Sequence, residues 1–143
     1  MIEAAFWDAS ALIPLCLESQ SVPMVDRLFQ ETFIVVWWAT PVEIRSALAR
    51  LARMQQASTD EVAEARRLLQ ELKQDWLEIG STTSLRSLAE DLPDRFGLRA
   101  GDSLQLAAAY TWAMQRPAGR PFISGDRRLL DAAEHLGFQT IAV

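Results

Sequence analysis

Cysteine, histidine and lysine occur once each in this 143-residue chain, as Cys16, His135 and Lys73. A lone cysteine excludes an internal disulfide and any cysteine-based zinc site. Cys16 lies in an apolar run and reads as a buried structural thiol. His135 sits mid-helix in "AAEHLG" and reads as a surface or half-buried structural residue. Without a second histidine or cysteine, neither a Ser-His-Asp triad nor a zinc site is easily assembled. No stretch approaches the ~18 consecutive apolar residues of a membrane helix. An acid, Glu3, stands where a signal peptide carries positive charge, so a cytoplasmic location is expected. Neither GxGxxG nor GxxxxGK[ST] occurs, which leaves nucleotide folds of those types unsupported. No internal repeat or low-complexity linker interrupts the chain.

Positive charge is also in short supply. Fourteen basic residues face 19 acidic ones, for a net charge of -5 and a pI of about 4.9. That argues against a broad, sequence-independent phosphate-binding surface, which wants a basic face, but leaves room for a local basic rim. All basic residues except Lys73 are arginine. Arginine suits bidentate recognition of phosphate or carboxylate; a genome's base composition is the blander cause of the same bias.

What is present is an alternation. "IEAAFW" (2–7) reads as a strand, followed by helical segments at about 9–18 and 22–31. "FIVVWW" (33–38) is β-branched and aromatic and reads as a buried strand. In "TPVEIRSALARLARMQQ" (40–56), Thr40 is placed as an N-cap and Pro41 at the first helical position. "STDEVAEARRLLQELKQDW" (58–76) is an amphipathic helix opened by a Ser58–Glu61 capping box. "LEIG" (77–80) reads as a short strand and "TTSLRSLAEDLPDRFG" (82–97) as a helix. "DSLQLAAAYTWAMQ" (102–115) is mostly apolar and reads as a central helix. "PFIS" (121–124), "GDRRLLDAAEHLG" (125–137) and "FQTIAV" (138–143) read as strand, helix and strand. Strands alternating with helices predict an α/β fold: a parallel sheet of about 4–5 strands flanked by helices.

Four acids share one kind of location. Asp8 follows the first strand, Glu43 opens the helix after the second, Asp102 opens the apolar helix, and Asp126 follows "FIS". In open α/β sheets, ligands bind beyond the carboxyl ends of the strands. Each acid also has a plain structural reading. Thr40 with Glu43, and Asp102 with Gln105, match capping boxes, while Asp8 and Asp126 are placed to cap the helices they precede. Together, however, four like charges on one edge are costly, and a divalent cation removes that cost. Oxygen ligands suit Mg2+ or Mn2+. The remaining route to hydrolysis is a metal-activated water.

These stretches carry a family likeness. "FWDASALIPL" resembles the first motif of PIN domains, "TPVEIRSALAR" the second, "LRAGDSLQLAAA" the third and "FISGDRRLLDAAEHLGFQTI" the fourth. The four come in family order and span nearly the whole chain, which the resemblance makes one PIN domain over 1–143. They are most similar to the toxin ribonucleases of VapBC-type toxin–antitoxin systems. The resemblance implies that Asp8, Asp102 and Asp126 bind the metal, and that Glu43 binds it or orients the attacking water. It implies a supporting role for Ser10 and Ser124, and contacts from Arg99, Arg127 and Arg128 to RNA phosphates; solvated helix termini are the plain alternative for those arginines. Pro14 stands where many such toxins carry a basic residue, and Gly101 where the residue is often larger, which widens the site.

The activity so implied is Mg2+- or Mn2+-dependent hydrolysis of an RNA phosphodiester, with transfer RNA or ribosomal RNA as targets. The implied partners are a second copy of the chain and a VapB-type antitoxin lying across the site. Trp37, Trp38 and the apolar face of 40–76 are candidates for those contacts, against core burial of both tryptophans. Two rivals stand beside this reading. A phosphatase of the haloacid-dehalogenase kind needs a second aspartate two residues after the first, where Ser10 stands, and a mid-chain lysine that is absent. A PIN fold kept only as a protein-binding module is favoured by loss of the acids, and all four are present.

Overall fold

The computed structural model describes residues 2–143. Its strands are β1 (Glu3–Trp7), β2 (Thr32–Trp37), β3 (Leu77–Ile79), β4 (Pro121–Ser124) and β5 (Gln139–Ala142). They form one parallel sheet in the order β3-β2-β1-β4-β5. The helices are α1 (Ala9–Cys16), α2 (Pro23–Glu31), α3 (Thr40–Arg53), α4 (Thr59–Asp75), α5 (Thr83–Phe96), α6 (Ala100–Trp112) and α7 (Arg127–Leu136), with a 3-10 turn at Glu18–Gln20. The alternation read from the sequence is borne out, with element ends shifted by a few residues.

The period of two along each strand splits the core into two layers. Ala5 and Trp7 of β1, with Val36 of β2 and Ile123 of β4, pack against Leu12 of α1, Val25 of α2, Ile44 and Leu48 of α3 and Leu69 of α4. Phe6, Val35, Trp37 and Phe122 point the other way, onto Leu85 of α5, Leu106 of α6 and Leu129 of α7. Phe6 and Phe122 stack with centroids 5.5 Å apart across the β1–β4 pair. Cys16 is buried, and desolvation pushes its thiol up to about 12, so it packs as an inert apolar group.

Local signals set the helix ends. The Ser58–Glu61 box forms in both directions: Ser58 Oγ accepts from the Glu61 amide at 3.1 Å, and the Ser58 amide donates to Glu61 Oε1 at 3.0 Å. Helix α7 stops at Gly137, whose φ of 111° is costly for any residue with a Cβ. Pro14, inside α1, has no N–H to give the preceding turn, and the helix ends at Cys16.

Two expectations are corrected here. Thr40 is not the N-cap of α3: Ala39 is, and no side chain caps that end. The Asp102–Gln105 box is also absent, because α6 begins at Ala100 with Arg99 as its cap residue. In both cases a buried tertiary hydrogen bond takes the polar side chain that a local cap would have used. Burial divides the tryptophans as well, with Trp37 only 4% exposed and Trp38 58% exposed. Successive residues at the end of a strand face opposite ways, and only one of the two faces is covered there.

The chain runs outward from β1 through β2 to β3, then returns to place β4 on the other side of β1. Strand order therefore reverses between β1 and β4. At such a switch point the connections leave in opposite directions and open a crevice at the carboxyl ends of the strands.

Candidate active site

Asp8 occupies the first residue after β1, beside that crevice, and its amide donates to the Ile123 carbonyl of β4 at 2.9 Å. The backbone there is extended, and the carboxylate makes no cap hydrogen bond to α1. Instead it turns to two hydroxyls. Ser10 Oγ donates to Asp8 Oδ2 at 2.5 Å and Ser124 Oγ donates to the same oxygen at 2.8 Å. Each hydroxyl is itself held, Ser10 Oγ by the Gly125 amide and Ser124 Oγ by the Asp126 amide, both at 2.9 Å. The capping alternative thus fails for Asp8. Burial raises its pKa, against the pull of the two serines.

Asp126 does cap its helix: Oδ1 accepts from the Leu129 amide at 3.2 Å. Its carboxylate also lines the pocket, so the structural and functional readings coexist. Asp102 lies in the first turn of α6. Burial, then the charges of Asp126 and Asp8, push its pKa up to about 6, while Arg99 and Arg128 pull the other way. Glu43 lies in the first turn of α3 and is pushed up to about 7, chiefly by burial, with Asp8 and Asp102 adding repulsion. These four carboxylates, with Ser10, Arg50 and Arg99, line one pocket of about 560 Å³.

The remaining sites named from the sequence divide. Arg99 lines the pocket, and Arg128 acts electrostatically on Asp102 while one of its N–H groups reaches the Gly97 carbonyl at 3.3 Å. Arg127 is not brought in; it faces Asp131 at 3.4 Å on the exposed side of α7. A Cβ at Gly101 would lie 4.0 Å from Glu43 Oε1, an ordinary contact, so glycine leaves modest room beside that carboxylate.

Two residues of the site were missed in the sequence. Arg50 follows Glu43 by seven positions, two helical turns, so the i, i+7 spacing places both on one face and was available as a signal. Gln105 had been read as a cap partner. It is fully buried, its Nε2 donates to Thr40 Oγ1 at 3.0 Å, and it lies against Glu43, lowering that group's pKa. The bridge ties the first turn of α3 to α6 and so sets Glu43 relative to Asp102. Gln105 Oε1 and Ser103 Oγ are buried without a partner among the described residues. We expect Gln105→Leu to cost about 1 kcal/mol, since it strands the Thr40 hydroxyl, and Thr40→Val to recover most of it in the double variant. Urea unfolding midpoints check this; a single variant as stable as the parent would mean that the bridge contributes nothing.

Among the described residues, no three carboxylates are gathered closely enough to form a ready-made coordination group. The donor chemistry nevertheless fits a hard dication. The site offers carboxylate oxygens and no imidazole or thiol, and burial, with a smaller share of mutual repulsion, raises the pKa values of Glu43 and Asp102, a cost of holding charge that a cation relieves.

Comparison with solved structures places this architecture. PAE2754 from Pyrobaculum aerophilum superposes with a TM-score of 0.66 at 21% identity, over 100% of this chain and 91% of that one. VapBC2 from Rickettsia felis, solved bound to a DNA fragment from its promoter, gives 0.66 at 9% identity over 99% of each chain. The chain has the PIN fold. VapBC-5 from Mycobacterium tuberculosis, a member of the VapBC family of toxin–antitoxin systems, shares that PIN fold with a TM-score of 0.56 at 17% identity over 98% of each chain. No protein-family model matches the sequence, and no curated protein matches it. The architecture explains why the four acids line one pocket: two follow the strands flanking the switch point, and two come from the first turns of α3 and α6.

Proposed function

We propose that this chain is a metal-dependent ribonuclease that hydrolyses RNA phosphodiester bonds and acts as the toxin of a type II toxin–antitoxin system. The observation that carries the reading is the convergence of Asp8, Glu43, Asp102 and Asp126 on one pocket at the switch point. Asp8, Asp102 and Asp126 would hold Mg2+ or Mn2+. Such an ion, when bound, supplies positive charge to a phosphoryl oxygen and lowers the pKa of water. Ser10 and Ser124 fix the orientation of Asp8 through Oδ2. Glu43, with a pKa near the working pH, is suited to take or give a proton at its carboxylate. Arg99 and Arg128, beside Asp102, are placed to receive phosphate oxygens. A VapB-type antitoxin and a second copy of the chain are the partners this reading assigns, in the cytoplasm.

A second reading, a PIN fold that only binds protein, is favoured by the lack of a preformed coordination group and by the exposed Trp38 and Val42. Inducible expression of the chain beside its Asp8→Asn twin separates the two. Growth arrest and new RNA 5′ ends with the parent alone are expected. Arrest by both proteins alike, with no new ends, would replace the ribonuclease with the binding module.

A further inference from the structure

Outside the acidic pocket, one groove combines aromatic and cationic groups in an otherwise acidic protein. It lies between the end of α5 and the exposed face of α7, has a volume of about 400 Å³, and is lined by Arg95, Phe96, Arg128, Asp131, Ala132 and His135. Arg128, Asp131 or Ala132, and His135 follow at i, i+3 or i+4, and i+7, so α7 presents them as one stripe. The Arg95 guanidinium carbon lies over the Phe96 ring, 4.9 Å from its centroid. His135 meets the same ring edge-on with centroids 5.5 Å apart.

Among the described residues, neither Arg95 nor Arg128 pairs with a carboxylate. The groove's own acid, Asp131, faces Arg127 at 3.4 Å. Arg128 gives one donor to the Gly97 carbonyl, which anchors it and leaves most of its five N–H groups free. The start of α7 links the groove to the acids, because Asp126, its N-cap, lines the acidic pocket and Arg128, two residues on, lines the groove. Groove and acidic pocket thus adjoin at the start of α7, with Arg128 on the groove side.

We propose that this groove is a subsite for single-stranded RNA next to the scissile phosphodiester, with a phosphate on Arg128 and an unstacked base on the Arg95–Phe96 stack. Unpaired RNA bases stack on guanidinium planes and aromatic rings, and arginine forks match phosphate oxygens. The net charge of -5 agrees with local capture of one strand rather than a broad basic face. This inference rests on the ribonuclease reading and adds to it where the strand leaves the acids.

The test uses the full chain carrying Asp8→Asn, to prevent cleavage, with Mg2+ and two fluorescein-labelled single-stranded RNA probes, a decamer and a trinucleotide. Arg95→Gln is expected to weaken decamer binding about tenfold and to leave the trinucleotide unchanged. Arg95→Lys, which keeps the charge at the helix end and loses the plane, should show most of the same loss. Arg128→Gln should reduce the slope of log affinity against log salt by about 0.7, one phosphate contact on a single strand. Decamer affinity and salt slope unchanged in all three variants would overturn the subsite and leave the ribonuclease reading standing. If those variants instead lose affinity for a poly-glutamate probe, the groove belongs to an acidic protein segment. Failure of the Asp8→Asn chain with an unsubstituted groove to bind the decamer would also overturn the subsite, whereas RNA cleavage by the parent chain, read separately, decides the ribonuclease reading.

Discussion

Asp8→Asn is expected to make the metal-free protein more stable while removing its metal affinity. The Asp8 carboxylate is buried, and burial outweighs the serine hydrogen bonds and the neighbouring backbone amides in setting its pKa. Its charged form is therefore a cost to the folded state. Asparagine keeps the shape and keeps one oxygen to accept from Ser10 and Ser124. Removing the charge should raise Tm in EDTA by about 3–6 °C, the shift produced by ~1 kcal/mol in a domain of this size. Mn2+ affinity and RNA cleavage should both fall at least about 100-fold, since loss of a direct ligand exceeds the 10–100-fold cost of losing an outer partner. Calorimetric titration with Mn2+ and a thermal melt on the same samples check both signs. Equal Mn2+ isotherms for variant and parent would sink the shared metal site, and a lower Tm would show that Asp8 is held for stability.

Stability of the metal-free protein should fall as pH rises from about 5 to about 7. Glu43 moves from 4.5 to about 7 and Asp102 from 3.8 to about 6 on folding, so across that window the folded state binds protons that the unfolded state has lost. Stability then decreases with pH, because its slope follows protons bound in the unfolded minus the folded state. Both groups are partly exposed, so solvent reduces the size of the effect and leaves its direction. Glu61 and Glu64 are shifted the opposite way, and their contribution is lost only as pH drops below about 4.5, outside the window. Saturating Mg2+ should flatten the dependence by compensating the charges. Melting curves from pH 5 to 8, in EDTA and in Mg2+, decide the matter; a Tm that rises with pH in EDTA would show that folding does not raise the pKa values of these carboxylates.

How much of the site was legible can be judged residue by residue. Asp8 and Asp126 were placed correctly relative to the sheet, because each directly follows a short apolar run whose strand character needs only local reading. Glu43 and Asp102 were visible as acids at helix starts, and that position alone also fits a capping box. The two readings separate only when the partner of the neighbouring polar side chain is known. Thr40 and Gln105 are 65 residues apart, and their hydrogen bond replaces both expected caps. Trp37 and Trp38 are indistinguishable in sequence, yet only one faces a covered side of the sheet.

The sequence by itself determined the elements and the chemical character of the site. Hydrophobic period, capping residues and glycine stops act over one or two turns, and an all-oxygen donor set follows from having one histidine and one cysteine. Tertiary structure alone decided that β4 returns to the side of β1, so that Asp8 and Asp126 flank one crevice and Glu43 and Asp102 face it. It also decided that Arg127 turns away while Arg50 and Arg99 turn in. The physical reason is one of range. Strand order is set by how two separate apolar layers can both be covered, a condition on the whole chain that no local stretch of residues carries.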